Sequence, residues 1–200
     1  MSRPADETAT DPDHRWIYTL VKAPHTGYEM SATDPPSSAE TVVVGAGAVG
    51  CSVAYHLTEL GAEDVVVVDQ GPLPVTGGSS VHAPGIVFQT SPSKIQTKTA
   101  HYTSRLLSDA GVYDEVGGIE VARSEKRMDF LRRRVENATA YGLPGPELLS
   151  PSEVVEHLPL VDPDRILGGY HSPTDGRVDG IAALQWYMSA SDAEFYGNVG

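Results

Sequence analysis

Gly45, Gly47 and Gly50 form a Gly-x-Gly-x-x-Gly run directly after Thr41-Val42-Val43-Val44, and Asp69 follows Gly45 by 24 residues. Residues of these types at this spacing can hold a diphosphate and a ribose. Gly45 permits a tight turn, Gly47 lets the backbone approach an anion with no Cβ in the way, and Gly50 lets the following segment pack close to the preceding one. If that segment is a helix, its first N–H groups, those of Ala48 and Val49 among them, face the anion together with the positive end of the helix dipole. The Asp69 carboxylate, with Gln70 beside it, is then placed to accept hydrogen bonds from ribose hydroxyls. The chemistry is dinucleotide binding, weighed against a glycine-rich turn in an unrelated α/β unit. The run does not by itself separate a flavin from a nicotinamide dinucleotide, because both present an ADP half.

These roles require a strand, a tight loop, a helix and a second strand, in that order. Thr41 to Val44 is a β-branched run, and Val65-Val66-Val67-Val68 suits a strand buried on both faces of a parallel sheet. Between them Val49, Val53, Leu57 and Leu60 recur at helical intervals, which predicts a buried stripe, and Gly61 supplies the stop. The fold class expected is α/β, a Rossmann-type βαβ unit with α+β segments after it. Those segments are a Gly/Pro/Ser loop over 71–85, a short strand over 86–89, a helix over 94–107, a strand over 119–122 and a helix over 125–141. Ser150-Pro151-Ser152-Glu153 then predicts a capped helix over 151–157. A strand over 166–172, a turn at Asp175-Gly176 and a helix from Ile181 to about Ser191 complete the reading.

Bulk properties exclude several classes. The 200 residues carry 14 Lys+Arg against 27 Asp+Glu, a net charge of −13 that repels nucleic-acid phosphates and anionic membrane surfaces. No apolar run approaches the ~20 residues that span a bilayer, and no secretory leader pattern follows Met1, so the expectation is a cytoplasmic protein. One cysteine, Cys51, excludes an internal disulfide and a redox dithiol, and no zinc-ligand spacing occurs, so no metal is expected. Residues 1–40 are rich in Asp, Thr, Ser and Pro and read as a weakly ordered extension, with Trp16 to Val21 either a docked strand or part of a free arm.

The stretch after Asp69 is more specific. Asp69-Gln70-Gly71-Pro72-Leu73, followed by Gly77-Gly78-Ser79-Ser80-Val81-His82-Ala83-Pro84-Gly85-Ile86-Val87-Phe88-Gln89-Thr90, resembles the flavin-binding region of the dimethylglycine oxidase and sarcosine/dimethylglycine dehydrogenase group of the D-amino-acid-oxidase-like superfamily. The likeness continues through Ser91 to Lys94, Val116 to Ala122, Leu149 to Glu153 and Ile166 to Gly176. It implies FAD as cofactor, with Gly77, Gly78, Ser79 and Ser80 along the pyrophosphate and His82 covalently linked to the flavin ring. It also implies removal of a hydride equivalent from the carbon beside a substituted amine, leaving an iminium that hydrolyses or passes to folate. A neutral imidazole nitrogen is nucleophilic, which suits the link; the plainer reading of His82 is a loop histidine bonded to the backbone near the cofactor.

Other candidates read as structural. Cys51 at a helix start is either an activated thiol or a small packed residue, and packing is the expectation. Arg132-Arg133-Arg134, beside Asp129 and Glu136, reads as a solvated helix face. His101 and Tyr102 fall on a helix, His157 at a helix end and His171 near a turn, with no role assigned; no catalytic residue is identified. The resemblance spans 41–190, and residues 191–200 do not look like the next strand, so the chain is read as an incomplete flavin domain with a tail outside the family pattern. The partners expected are a small amine substrate, and either a second polypeptide completing the enzyme or self-association through uncovered strand edges. The rivals are a catalytically silent FAD-binding or interaction fragment, and a pyridine-nucleotide dehydrogenase that leaves His82 without a task.

Overall fold

A computed structural model describes residues 34–143 and 145–200; the expectations for residues 1–33, Trp16 to Val21 among them, lie outside it. Strand β1 (Thr41–Val44), helix α1 (Ala48–Glu59) and strand β2 (Val65–Val68) form the expected unit, with β1 and β2 parallel and paired Thr41 to Val65 through Val44 to Val68.

Two expectations are corrected here. The buried face of α1 is Cys51, Ala54 and Tyr55, while Val49 and Val53 are exposed and only Leu57 of the predicted stripe packs on the core. Gly50 seats the start of α1 on the glycine loop, and Tyr55 packs against the rings of Trp186 and Tyr187, so contacts distant in sequence rather than the valine periodicity choose the face. The second concerns the expected tail. Glu194–Tyr196 forms a strand, β9, parallel to β2 with Phe195 opposite Val67, and Phe195 is buried in the main core. The helix before it, α6 (Gly180–Ala190), therefore leads into the sheet, giving the strand order β1-β2-β9.

Two antiparallel sheets complete the described chain. One holds β3 (Ile86–Val87), β8 (Gly176–Val178) and β4 (Tyr113–Asp114), in the order β3-β8-β4. The other holds β5 (Gly118–Ala122), β7 (Gly168–Ser172) and β6 (Glu147–Leu149), in the order β5-β7-β6. Helix α2 (Ser79–His82) interrupts the predicted 71–85 loop, and α3 (Lys94–Asp109) lies between β3 and β4 in the chain. Helix α4 (Glu125–Tyr141) packs Met128 and Leu131 on Ala122 and Tyr170 of the second antiparallel sheet. Helix α5 (Pro151–His157) packs Val154 against Leu149 and Ile166.

The local signals for these ends hold. Ser150 and Glu153 form a reciprocal capping box, with Ser150 N–H donating to Glu153 Oε2 at 2.7 Å, and Gly142 ends α4 in the left-handed conformation.

Candidate dinucleotide site

The site is assembled where β1, α1 and β2 meet. Gly45 has φ +103°, a conformation that favours glycine, and its N–H donates to Val68 O at 2.7 Å, fixing the turn to the end of β2. A Cβ on Gly50 would stand 1.8 Å from Gly45 O, so the first turn of α1 lies directly on the loop. Gly47 is the N-cap residue, and a Cβ there would meet only Ser80 Oγ, at 3.2 Å. Ser80 is thus the side chain that a Cβ on Gly47 would meet at the N-terminus of this 12-residue helix.

Asp69 and Ser80 converge on that loop from different parts of the chain. Asp69 Oδ2 accepts the Ala46 N–H and Oδ1 accepts the Gly71 N–H, both at 2.8 Å. The backbone of Asp69 is held by β9 and the residues after it: its N–H donates to Tyr196 O at 2.9 Å, and its carbonyl accepts from Val199 N–H at 3.0 Å. Ser80 Oγ accepts the Ala48 N–H at 3.0 Å, and Ser80 is itself backed by the start of α6, where a Cβ on Gly180 would stand 2.7 Å from Ser80 O. Gly77 takes φ +78° and Gly78 is the N-cap of α2. Ala48, Val49, Gln70, Gly77, Gly78 and Ser79 are exposed, and His82 ends α2 with its side chain in solvent. The structure therefore brings Asp69, through Ala46, and Ser80, through Ala48, to the loop of Gly45, Gly47 and Gly50, and places His82 two residues beyond Ser80.

The remaining candidates separate clearly. Cys51 is fully buried, its thiol faces Ala46 O at 3.2 Å, and burial, with Asp69 nearby, pushes its pKa up to about 12, so it is a packed and unreactive group. Arg132 pairs with Asp129 at the surface and Arg133 is exposed, as expected of a solvated face. Arg134 departs from that reading. Its side chain is only 10% exposed, it pairs with Glu120 Oε2 at 2.6 Å and donates through Nε to Thr90 Oγ1 at 3.1 Å, and it lies 4.3 Å over the Tyr170 ring. Its partners come from β5, β7 and the loop after β3, which a sequence-local reading of charge does not reach.

His101 hydrogen-bonds Gln89 Oε1 through Nδ1 at 2.9 Å, and burial, then the Arg105 charge, holds its pKa below the usual histidine value. Tyr102 meets His56 Nε2 at 2.8 Å, and His157 stacks on His171 with ring centroids 4.8 Å apart.

Residues 40–198 match the FAD dependent oxidoreductase family, which covers the whole of this site. The chain belongs to that family. Among curated proteins it is 32% identical over 166 residues to human mitochondrial sarcosine dehydrogenase, covering 79% of this chain and 18% of that protein. It is 33% identical over 167 residues to rat mitochondrial dimethylglycine dehydrogenase, covering 76% of this chain and 19% of the relative. It is also 32% identical over 171 residues to the mouse mitochondrial pyruvate dehydrogenase phosphatase regulatory subunit, covering 80% and 19%. Among solved structures, L-proline dehydrogenase from P. horikoshii superposes with a TM-score of 0.74 at 22% identity, over 82% of this chain and 45% of that one, a likeness of fold. The chain thus spans under a fifth of the length of these curated relatives.

The residues present fit an FAD diphosphate. The approach to Gly47 is one that a Cβ would crowd, and the α1 N-terminus with the Ser80 hydroxyl supplies donors of the right sign. No helix among the described residues is long and apolar enough to cross a membrane.

Proposed function

We propose that this chain is the FAD-binding portion of an oxidoreductase acting on the carbon–nitrogen bond of a small N-methylated amino acid of the sarcosine or dimethylglycine type. The observation that carries the reading is the convergence of Asp69 and Ser80 on the glycine loop at the N-terminus of α1. Ala48, Val49 and Ser80 would hold the diphosphate, Gly45, Gly47 and Gly50 make room for it, and Asp69 would turn from the Ala46 N–H to the ribose. His82, exposed at the end of α2, is the residue proposed to hold the ring covalently. Bound FAD would supply the acceptor for a hydride equivalent from the carbon beside the amine. The relatives named as sarcosine and dimethylglycine dehydrogenases support the substrate class. Cytoplasmic residence belongs to the same proposal.

A second reading is a catalytically silent FAD-binding or interaction module. The match to a regulatory subunit at comparable identity favours it.

The test is spectroscopic. The chain is purified, mixed with FAD and precipitated with acid, with His82→Ala in parallel. Flavin absorbance in the wild-type pellet and in the His82→Ala supernatant supports the covalent reading; wild-type flavin in the supernatant overturns it. Bleaching of the bound flavin by sarcosine or dimethylglycine without oxygen supports the amine oxidoreductase reading. Flavin retained but not bleached by either amine favours the silent module.

A further inference from the structure

The segment that carries His82 runs on through β3 to Gln89 and Thr90, and both of those residues are gripped from inside the molecule. Asp175, 2% exposed, accepts the Gln89 N–H through Oδ1 at 2.9 Å. Its Oδ2 is buried and has no partner in good hydrogen-bond geometry, with the Ser172 hydroxyl near it. Gln89, 1% exposed, donates its side-chain amide to Thr174 O, which also accepts the Tyr113 hydroxyl at 2.8 Å. One residue on, Thr90 Oγ1 accepts from two guanidinium nitrogens of Arg134 and from the Tyr170 hydroxyl at 2.9 Å. Between His82 and this double grip the backbone is zipped to β8: Val178 N–H donates to Gly85 O at 2.8 Å, and a Cβ on Gly85 would stand 2.1 Å from Val178 O.

A buried carboxyl and a buried guanidinium are costly means of mere stabilisation, since apolar residues of similar volume often serve as well. What they add is direction. The Asp175 acceptor fixes one backbone N–H and Arg134 fixes one hydroxyl, on consecutive residues, the first from the connection between β7 and β8 and the second from α4. Arg134 pairs with one oxygen of the Glu120 carboxylate, whose other oxygen pairs with Arg127. Burial pushes the Asp175 carboxyl up, opposed by the Gln89 N–H, the Ser172 hydroxyl, Arg134 and His171. Tyr113 and Tyr170 are the other titratable groups near it.

We propose that Asp175 and Arg134 are positioning residues that act through Gln89 and Thr90 to fix the 82–90 segment, and with it His82, relative to the β5-β7-β6 sheet. The purpose assigned to the clamp rests on the FAD and His82 reading above; its existence does not. A displacement of about 1 Å at a reacting group costs on the order of a hundredfold in rate, so a distant grip on this segment has a large effect.

Hydrogen–deuterium exchange of the full chain without flavin tests the clamp, with Asp175→Ala, Asp175→Asn and Thr90→Val compared with wild type. Asp175→Asn keeps an acceptor for the Gln89 N–H and should exchange over 83–90 like wild type. Asp175→Ala should exchange faster over 83–90, with β1 and α1 unchanged. Thr90→Val keeps side-chain shape and removes the acceptor for Arg134 and Tyr170, so it remains informative if Asp175→Ala does not fold; it should release the same segment. Wild-type exchange over 83–90 in Thr90→Val, or in a folded Asp175→Ala, overturns the proposal.

With FAD added, the clamp predicts that acid-stable flavin forms about a hundredfold more slowly in Asp175→Ala and at near wild-type rate in Asp175→Asn. If wild type forms none, the His82 reading fails while the exchange result still decides the clamp.

Discussion

Replacing Gly50 with alanine puts the packing of α1 on the glycine loop to a quantitative test. The added Cβ would lie 1.8 Å from Gly45 O and 3.4 Å from Val43 Cγ1, so the helix and loop must part by more than 1 Å at a contact made by backbone. Overpacking of this kind costs about 1–3 kcal/mol, and with a carbonyl as the obstacle the upper end applies. Alanine is favoured over glycine within a helix by about 1 kcal/mol, which acts in the opposite direction. The steric cost wins, leaving a net loss of about 2 kcal/mol, or about 4–8 °C in Tm for a chain of this size. Because the same shift moves the Ala48 and Val49 N–H groups, FAD affinity should fall with stability. Thermal unfolding followed by circular dichroism and titration of FAD fluorescence measure the two effects. A Gly50→Ala chain that melts and binds like wild type would refute the inference that α1 is seated on the loop at this residue.

Three further outcomes follow from the same geometry. Asp69→Ala removes the acceptors of the Ala46 and Gly71 N–H groups and should weaken FAD binding at least about tenfold, or about 1.4 kcal/mol; unchanged affinity in the titration would contradict the assigned role. Burial holds the Asp175 pKa above its ordinary value, so its proton's contribution to stability is full below the unfolded-state pKa and is lost as pH rises through the raised one. Urea unfolding should therefore show Asp175→Asn gaining on wild type as pH rises from about 3.5 to neutrality, and a pH-independent gap would count against a buried, perturbed carboxyl. Cys51, with its thiol pushed up to about 12, should give no colour with DTNB in native buffer and one thiol per chain in denaturant; rapid native reaction would contradict its burial.

What the sequence disclosed and what it hid follow from the range of the forces involved. The β1-α1-β2 unit was readable because its determinants are local: valine runs, the glycine spacing and Gly61 each constrain the backbone where they stand. The capping box at Ser150 was readable for the same reason. The buried face of α1 was not, since Val49 and Val53 satisfy the periodicity while the face carrying Cys51, Ala54 and Tyr55 is set by the glycine loop at Gly50 and by Trp186 and Tyr187, far away in sequence. Strand β9 is three residues in a polar, glycine-ended context, and it exists because the edge of β2 offers it partners.

Within the site, Gly45, Gly47, Gly50 and Asp69 could be named from spacing, and Ser80 from family likeness. The contact of Ser80 with Ala48 spans 32 residues and that of Asp175 with Gln89 spans 86, beyond any periodic signal. Arg134 was hidden by its own neighbours, because a run of three arginines beside acids describes a solvated face until the fold turns one of them inward.

Binding of FAD at the N-terminus of α1 is measured by equilibrium titration of the purified full chain with FAD, alongside Gly50→Ala and Asp69→Ala. One FAD should bind per chain, with affinity reduced in both variants. A wild-type chain that is folded by circular dichroism yet takes up no FAD, or one whose affinity is indifferent to both substitutions, would contradict it.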